Sequence, residues 1–588
     1  MGQFFKFTLA SVLGVFLALF LGFFIMMGMV AAIASSGDEE VVISESSILR
    51  LNLDYPINDR ASNNPFNNLQ FGNFELDNNA GLTDILKSIE KAASDPLIDG
   101  IYLNAPSLQA GVAQVEEIRN ALLKFKESGK FIVAYADGYD QKGYYLASVA
   151  DEVYVHPEGM LLFKGIAAEM MFFKGTLEKL DVEMQIIRHG KFKAAVEPFL
   201  LEKMSDANRE QTTAYITSIW NDYLGAISKS RNISIADLNK AADMLSLDDP
   251  VKALELKFID GIKYPDQILD LLKEKTNKTE DDDLELIKVG SYTNSSYFNE
   301  KAIAKDKIAV IYANGEIKGG KGDDSFIGER NITKALIKAR EDKRVKAVVL
   351  RVNSPGGSAL VSDLIWREVV LTKEEKPVVV SMGNVAASGG YYISCAADYI
   401  FADPTTITGS IGVFGMIPYT GKLLTNKLGV TFDVAATNEN ANYITTNKPL
   451  TPYQREVIQS SVERVYDHFI TKVADGRSLT KEQVDEIGQG RVWTGTQALK
   501  IGLVDELGGL KMAIAKAAEL GELETFKIKS LPYQKDPVQQ IMDDLTGKSS
   551  SILMKHVLGN DYKYVQMFDN MENRDVIQAR LPFELIIE

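Results

Sequence analysis

The sequence predicts an α/β fold that is built twice in tandem and preceded by one membrane-spanning helix. In both halves of the 588 residues, apolar strand-like runs alternate with amphipathic helical segments, which is typical of βαβ units around a largely parallel sheet. A chain of this length is too long for one hydrophobic core. Motifs of the first half return in the same order in the second, which indicates a duplicated domain.

An apolar segment without charges opens the chain, from Phe7 to Gly37. About 20 apolar residues span a bilayer, whereas the apolar core of a cleaved signal peptide has about 7–15. Ala32-Ile33-Ala34 offers a cleavage-like triplet, but the length favours a retained anchor. Lys6 precedes the segment and acidic residues follow it, so the remainder of the chain should lie outside the cytoplasm. We expect a cytoplasmic stub and anchor over 1–37 that contacts lipid through 7–34; in a bacterium with two membranes the remainder would be periplasmic.

Composition narrows the classes of function. The net charge of −16 argues against non-specific binding of nucleic acid. Cys395 is the only cysteine, so the chain has no intrachain disulfide and no cysteine-based metal site. The four histidines show no metal-ligand spacing. We therefore expect no metal and no cofactor.

The first copy is predicted over residues 48–273, after a linker at 38–47. An Asn- and Phe-rich stretch at 58–79 reads as a mobile loop. The periodicity of the apolar residues predicts the remaining elements in order: strand 48–53, helix 82–93, strand 98–103, helix 113–128, strand 131–135 and a long helix at 206–228.

The second copy is predicted over residues 301–525, after a linker at 274–300 whose start is strongly charged. Its predicted elements repeat the order of the first copy: strand 307–317, helix 332–341, strand 345–352, helix 359–372, strand 377–382 and a long helix at 452–475. The repeat extends to residues, since a Gly-Tyr-Tyr motif starts at Gly143 and again at Gly390. Residues 526–588 lie outside the repeat, and no task is assigned to them.

Two features of the second copy are suited to acyl transfer. Gly356 and Gly357 follow a strand and precede a helix, where backbone amides can approach and stabilise an anion. A simple strand-to-helix turn would have the same appearance. Ser410 lies between two glycines in Thr408-Gly409-Ser410-Ile411-Gly412, which holds its hydroxyl in a tight bend. The first copy lacks the glycine pair and has Phe163 in place of the serine.

The first copy carries a different candidate, Lys193, in the segment 189–199. Read alone, it would be an ordinary surface lysine. A lysine buried among apolar groups can instead be neutral and accept the proton of a serine. The second copy has Ala441 at the matching position. Each half thus retains one member of a Ser–Lys pair, with Ser410 as candidate nucleophile and Lys193 as candidate general base.

The chain closely resembles the signal peptide peptidase A family, also called protease IV, in its long, duplicated, membrane-anchored form. Four ordered motifs carry this resemblance: Ser-Pro-Gly-Gly-Ser (354–358), Ala-Ala-Ser-Gly-Gly-Tyr-Tyr (386–392), Thr-Gly-Ser-Ile-Gly-Val-Phe-Gly (408–415) and Lys-Ala-Ala-Val-Glu-Pro-Phe (193–199). It implies an α/β superhelix of the Clp and crotonase type, with Ser410 as nucleophile and Lys193 as base. It also implies an oxyanion hole formed by the amides of Gly357 and Ser410.

The resemblance further implies a ring-like homotetramer that hydrolyses apolar peptides, including signal peptides. Three alternatives remain at this point. A Clp-like enzyme would use Ser388 as nucleophile and needs a histidine and a carboxylate, for which the second copy offers His468; we read Ser388 as structural or substrate-lining. A crotonase-like fold could handle acyl-CoA, which an extracytoplasmic location disfavours. An inactive peptidase fold could serve as a membrane-tethered scaffold or chaperone.

Overall fold

The computed structural model describes residues 2–36, 41–61, 80–297, 304–534 and 577–581. Most of the predicted loop at 58–79 and most of the segment 526–588 lie outside these described residues. The same holds for residues 38–40 of the first predicted linker and 298–300 of the second.

A long N-terminal helix, α1 (Gly2–Ser36), precedes the globular part. Its portion Gly2–Gly22 has a mean hydropathy of 2.2, and none of it is buried inside the protein. A helix of this length and composition is consistent with a single-pass membrane anchor.

The first copy is organised around a six-stranded parallel sheet with strand order β6-β4-β3-β2-β1-β7. The strands of the first copy are β1 (Ser47–Asn52), β2 (Ile98–Asn104), β3 (Phe131–Ala136), β4 (Glu152–Val155), β5 (Glu183–Arg188), β6 (Gly261–Ile262) and β7 (Leu286–Lys288). Its helices are α2 (Leu82–Ser94), α3 (Val112–Lys126), α4 (Gln141–Ala147), α5 (Lys174–Lys179), α6 (Glu197–Leu200), α7 (Asp206–Arg231), α8 (Ile235–Asp243), α9 (Pro250–Glu255), α10 (Pro265–Lys275) and α11 (Val289–Tyr292). Helices cover the sheet, so its central strands are buried.

The second copy repeats this sheet. Its strands are β8 (Lys307–Asn314), β9 (Glu316–Lys318), β10 (Phe326–Gly328), β11 (Val345–Ser354), β12 (Gly356–Ser358), β13 (Val378–Ala387), β14 (Tyr399–Ala402), β15 (Ile407–Gly409), β16 (Phe414–Tyr419), β17 (Val492–Thr494), β18 (Glu506–Leu507), β19 (Lys527–Leu531) and β20 (Ile577–Arg580). Its helices are α12 (Glu329–Glu341), α13 (Ala359–Lys373), α14 (Gly389–Tyr392), α15 (Pro452–Arg477), α16 (Lys481–Ile487), α17 (Gly495–Lys500) and α18 (Leu510–Leu520). The path β18-β14-β13-β11-β8-β19 matches the six strands of the first copy in order, which confirms the predicted duplication of an α/β domain.

A third sheet joins the two copies, and we call it the shared sheet. Its order is β10-β9-β12-β20-β16-β5, in which β5 belongs to the first copy. The shared sheet also corrects one prediction, because the expected strand 307–317 is two strands in different sheets. The break is at Gly315, whose φ is 90° and where a methyl group would lie 2.1 Å from the carbonyl oxygen of Ser325. The chain therefore turns there and leaves the central sheet.

A buried ion cluster also links the copies. Arg351 on β11 contacts Glu117 on α3 at 2.5 Å and Asp59 at 3.2 Å. All three side chains are almost fully buried. Removing one member of such a cluster leaves a buried charge unpaired and costs about 3–5 kcal/mol. The contact therefore resists movement of one copy relative to the other.

Candidate active site

An antiparallel strand pair brings the candidate lysine to the second copy. The β5 strand of the first copy pairs with β16 over six residues, from Arg188 opposite Phe414 to Glu183 opposite Tyr419. The chain continues from β5 into the second copy, where the amide of His189 donates to the carbonyl of Val413. Lys193 follows after one short turn, so backbone pairing between the copies sets its position.

Lys193 lies directly against the backbone of a loop that precedes β17. The Phe192 amide donates to the carbonyl of Gln489 at 2.9 Å. A methyl group on Gly490 would lie 2.6 Å from the backbone nitrogen of Lys193. At this position only glycine allows the close approach, and its φ of 82° also favours glycine.

The amine of Lys193 meets the candidate nucleophile at this point. Its Nζ lies 3.1 Å from Ser410 Oγ and 3.2 Å from the carbonyl oxygen of Ser410. Both side chains are fully buried. Burial lowers the pKa of Lys193 well below its usual value, because an ammonium group loses its hydration in this environment. A neutral amine within hydrogen-bond distance of a serine hydroxyl is the arrangement that nucleophilic activation requires.

Ser388 is the residue of this site that sequence reasoning did not assign to the pair. Its Oγ lies 2.8 Å from Lys193 Nζ, and its hydroxyl also lies 3.4 Å from the carbonyl of Gly412. We expected a structural or substrate-lining serine, and the structure places it beside the candidate base. The sequence did contain a signal for Ser388, because this residue begins a helix and lies within the motif 386–392, one of the four that carry the family resemblance.

His468, the histidine that a Clp-like mechanism would pair with Ser388, does not lie in this site. His468 is exposed on α15, whereas Ser388 is fully buried. His189, four residues before the lysine, stacks on Tyr466 and contacts Glu463 at 2.5 Å. Among the described residues, no group of three or more His, Cys, Asp or Glu side chains is arranged to hold a metal ion.

The glycine pair occupies the strand β12, where Gly356 lies opposite Arg580 and Gly357 opposite Ala579 at the end of β20. A methyl group on Gly357 would lie 2.0 Å from the carbonyl oxygen of Ile317, its partner on β9. Gly357 is thus held close to a neighbouring backbone. Ser354 supports the turn, since its hydroxyl donates to the carbonyl of Gly315 and accepts from the amide of Gly356.

The second expected oxyanion donor is occupied in this structure. The amide of Ser410 donates to the carbonyl of Arg491 at 2.7 Å. Ser410 has a φ of 50°, a left-handed conformation that is uncommon for residues other than glycine. In this structure the Ser410 amide is therefore directed at a backbone carbonyl, and the roles of the Gly357 and Ser410 amides as oxyanion donors remain predictions.

Comparison with known proteins places these observations in a family. The profile of "Peptidase family S49" matches residues 124–279 and 371–524, once in each copy. "Protease 4" of Salmonella typhi is 38% identical over 80% of this chain and 77% of its own length. "Serine protease SPPA, chloroplastic" of Arabidopsis thaliana is 34% identical over 86% of this chain and 74% of its own length. Among solved structures, a point mutant of ClpP1 from Listeria monocytogenes is 15% identical over 35% of this chain and 94% of that chain, with a TM-score of 0.24.

Proposed function

Because the chain belongs to peptidase family S49 and is a serine protease of the signal peptide peptidase type, we propose that Ser410 is its nucleophile and Lys193 its general base. One observation carries this assignment. Lys193 Nζ, supplied by the first copy, lies 3.1 Å from Ser410 Oγ of the second in a fully buried site. The family membership speaks against the scaffold and acyl-CoA alternatives.

The proposed reaction has two halves. Neutral Lys193 takes the proton of Ser410 while Oγ attacks the carbonyl carbon of the peptide bond. The amide of Gly357 stabilises the oxygen that becomes negative. The protonated lysine then gives its proton to the leaving amine, and the peptide bond breaks. Water, activated by the same lysine, hydrolyses the acyl-enzyme and releases the second product.

We further propose that Ser388 positions the base. Its hydroxyl and the carbonyl oxygen of Ser410 hold Lys193 Nζ from two sides. A buried amine needs such partners, because an unpaired buried polar group costs about 1–3 kcal/mol. The contact at 2.8 Å also supports a second assignment, in which Ser388 itself is the nucleophile and Lys193 its base.

For substrate and location, we propose apolar peptides, including signal peptides, at the extracytoplasmic face of a bacterial inner membrane. The support is α1, which would hold the peptidase beside the bilayer where such peptides remain. The homotetramer implied by the family resemblance is also a proposal. Analytical ultracentrifugation of the full chain in a non-ionic detergent checks it.

Labelling and mutagenesis test the nucleophile. The full chain in detergent should cleave an apolar fluorogenic peptide, and Ser410→Ala should abolish this cleavage. A peptidyl fluorophosphonate should modify Ser410, as read by peptide mass spectrometry. His468→Ala serves as a matched control outside the site and should cleave at the wild-type rate. Modification of Ser388, together with full activity in Ser410→Ala, would contradict the assignment in favour of the second one.

A further inference from the structure

One buried side chain, that of Gln211, bridges the two copies beside the proposed general base. Gln211 lies in the second turn of α7 in the first copy and is fully buried. Its Nε2 donates to the carbonyl of Phe192 at 3.0 Å. Its Oε1 accepts from the amide of Val492, in the second copy, at 3.2 Å. Because Phe192 directly precedes Lys193, one end of this bridge is the backbone that carries the lysine.

The other end of the bridge is tied to the proposed nucleophile. Val492 lies opposite Gly409 in the antiparallel pair of β15 and β17, and Ser410 is the next residue after Gly409. The carbonyl of Arg491, the residue before Val492, accepts the amide of Ser410 at 2.7 Å. Gln211 therefore connects the residue before the lysine with the strand that holds the serine.

Phe192 is held through its amide, its carbonyl and its ring. The amide donates to the carbonyl of Gln489 at 2.9 Å, and the carbonyl accepts from Gln211. The ring lies 4.7 Å from the guanidinium carbon of Arg491. Since Lys193 is the next residue, these contacts together fix where the lysine backbone lies on the second copy.

The orientation of the Gln211 amide follows from its neighbours in the first copy. An ionised carboxylate can only accept hydrogen bonds, so Asn208 presents its Nδ2 to the buried Glu197 at 3.0 Å. Asn208 Oδ1 then accepts from Gln211 Nε2 at 3.2 Å. The nitrogen of Gln211 thus lies between two oxygens, and its own oxygen faces the amide of Val492.

The position of Gln211 requires a side chain that both donates and accepts. The carbonyl on one side needs a donor and the amide on the other needs an acceptor, and buried backbone groups that are left unpaired are costly. Methionine has nearly the same shape as glutamine and supplies neither group. An ionised glutamate supplies only acceptors, whereas a protonated one has an O–H donor as well. Hydrogen bonding, and not volume alone, therefore specifies this residue.

We propose that Gln211 is a positioning residue of this protease, whose amide sets the separation of Lys193 Nζ and Ser410 Oγ by holding the two copies in register. This inference rests on the proposed function, which gives the lysine and the serine their roles. The separation is 3.1 Å in the intact site. Without the bridge, the Phe192 carbonyl and the Val492 amide lose their shared partner, and the lysine is no longer held at this distance.

The consequence is a slower chemical step with unchanged substrate binding. A displacement of about 1 Å between reacting groups can lower a rate about 100-fold. Both N–H groups of Gln211 donate within the protein, so its replacement removes no bond donated to a bound peptide. We expect Gln211→Met to lower kcat about 10- to 100-fold and to keep KM within about twofold of the wild-type value.

The test measures cleavage of an apolar fluorogenic peptide by the full chain in a non-ionic detergent. Gln497→Met is the matched control, because Gln497 of the second copy also donates to a carbonyl of α7, that of Ala214 at 3.3 Å. Its replacement loosens the same interface at another place and should leave kcat at the wild-type value. Far-UV circular dichroism establishes that each variant is folded.

Gln211→Glu tests the hydrogen bonds at nearly constant shape. Burial favours the protonated carboxyl, which donates and accepts as the amide does. At about pH 6 its kcat relative to wild type should exceed that of Gln211→Met about tenfold, and this advantage should disappear as pH rises and the carboxyl ionises. The pH dependence of this one variant decides the question if Gln211→Met does not fold. A residue needed only for packing would give both variants the same relative kcat.

Wild-type kcat in Gln211→Met would overturn the proposal, as would an equal loss of kcat in Gln497→Met. It would also be overturned if KM rose while kcat stayed the same, or if the relative kcat of Gln211→Glu did not change with pH and was no higher than that of Gln211→Met. Failure of the proposed function has a different signature, which is cleavage that persists in Ser410→Ala whatever the Gln211 variants do.

Discussion

Replacing Lys193 by methionine tests the central physical claim, which is that this lysine is neutral in the folded protein. Methionine has a similar length and is apolar, so it fills the same buried space without an amine. The general base would be lost, and kcat/KM for an apolar peptide should fall by about 10²- to 10⁴-fold.

The more specific consequence concerns stability as a function of pH. Burial lowers the pKa of Lys193 well below the value of 10.5 that applies to the unfolded chain. Between these two pKa values the unfolded chain binds one proton more than the folded chain at this residue. The free energy of unfolding of the wild type should therefore rise with pH, by about 1.4 kcal/mol per pH unit relative to Lys193→Met.

The assay is guanidinium unfolding of the full chain in a non-ionic detergent, followed by tryptophan fluorescence, at several pH values below the unfolded pKa of 10.5. Lys191→Met is the matched control. That lysine is exposed two residues away, so it is hydrated in both states and its replacement should not produce the slope. If the stability difference between wild type and Lys193→Met does not change with pH, Lys193 is charged in the folded protein and the mechanism is refuted.

Two further predictions concern Ser388, which lies beside Lys193, and Glu116, which lies at the contact between the two copies. Ser388→Ala removes the partner at 2.8 Å from Lys193 Nζ and should lower kcat about 10- to 100-fold with little change in KM, because a buried polar group left unpaired costs about 1–3 kcal/mol. Complete inactivation in steady-state kinetics would instead identify Ser388 as the nucleophile. Burial raises the pKa of Glu116 to about 7, so the folded chain loses stability as pH rises from about 4.5 to 7. The free energy of unfolding of Glu116→Gln should therefore exceed that of the wild type by about 3 kcal/mol at about pH 8 and equal it at about pH 4. Denaturant unfolding at the two pH values checks this, and equal stability at the higher pH would contradict it.

The raised pKa of Glu116 depends on its burial at the contact between the two copies. Glu116 on α3 of the first copy accepts a hydrogen bond from the Thr405 hydroxyl of the second at 2.8 Å. Neither carboxylate oxygen of the neighbouring Asp403 has a hydrogen-bond partner among the described residues, and burial raises its pKa well above the usual value. These acids therefore favour their protonated forms at the interface.

Much of the fold was accessible from the sequence because it depends on local periodicity. Buried parallel strands read as continuous apolar runs, and the helices between them read as amphipathic segments. The long helices α7 and α15 confirm the two predicted ones. The duplication was visible because both copies retain the same motifs in the same order. The strand predicted over 307–317 was wrong in one respect, because an apolar run does not reveal that Gly315 turns the chain into another sheet.

The sequence alone determined that the chain is a duplicated α/β protein with an apolar N-terminal segment, and it identified Ser410 and Lys193 as complementary candidates. Tertiary structure decided how these residues meet. Pairing of β5 with β16, the position of Ser388 beside the lysine and the insertion of β20 all depend on contacts between distant segments, most of them backbone hydrogen bonds. Backbone amides and carbonyls are the same in every residue except proline, so their pairing leaves little trace in side-chain patterns and becomes visible only in the folded chain.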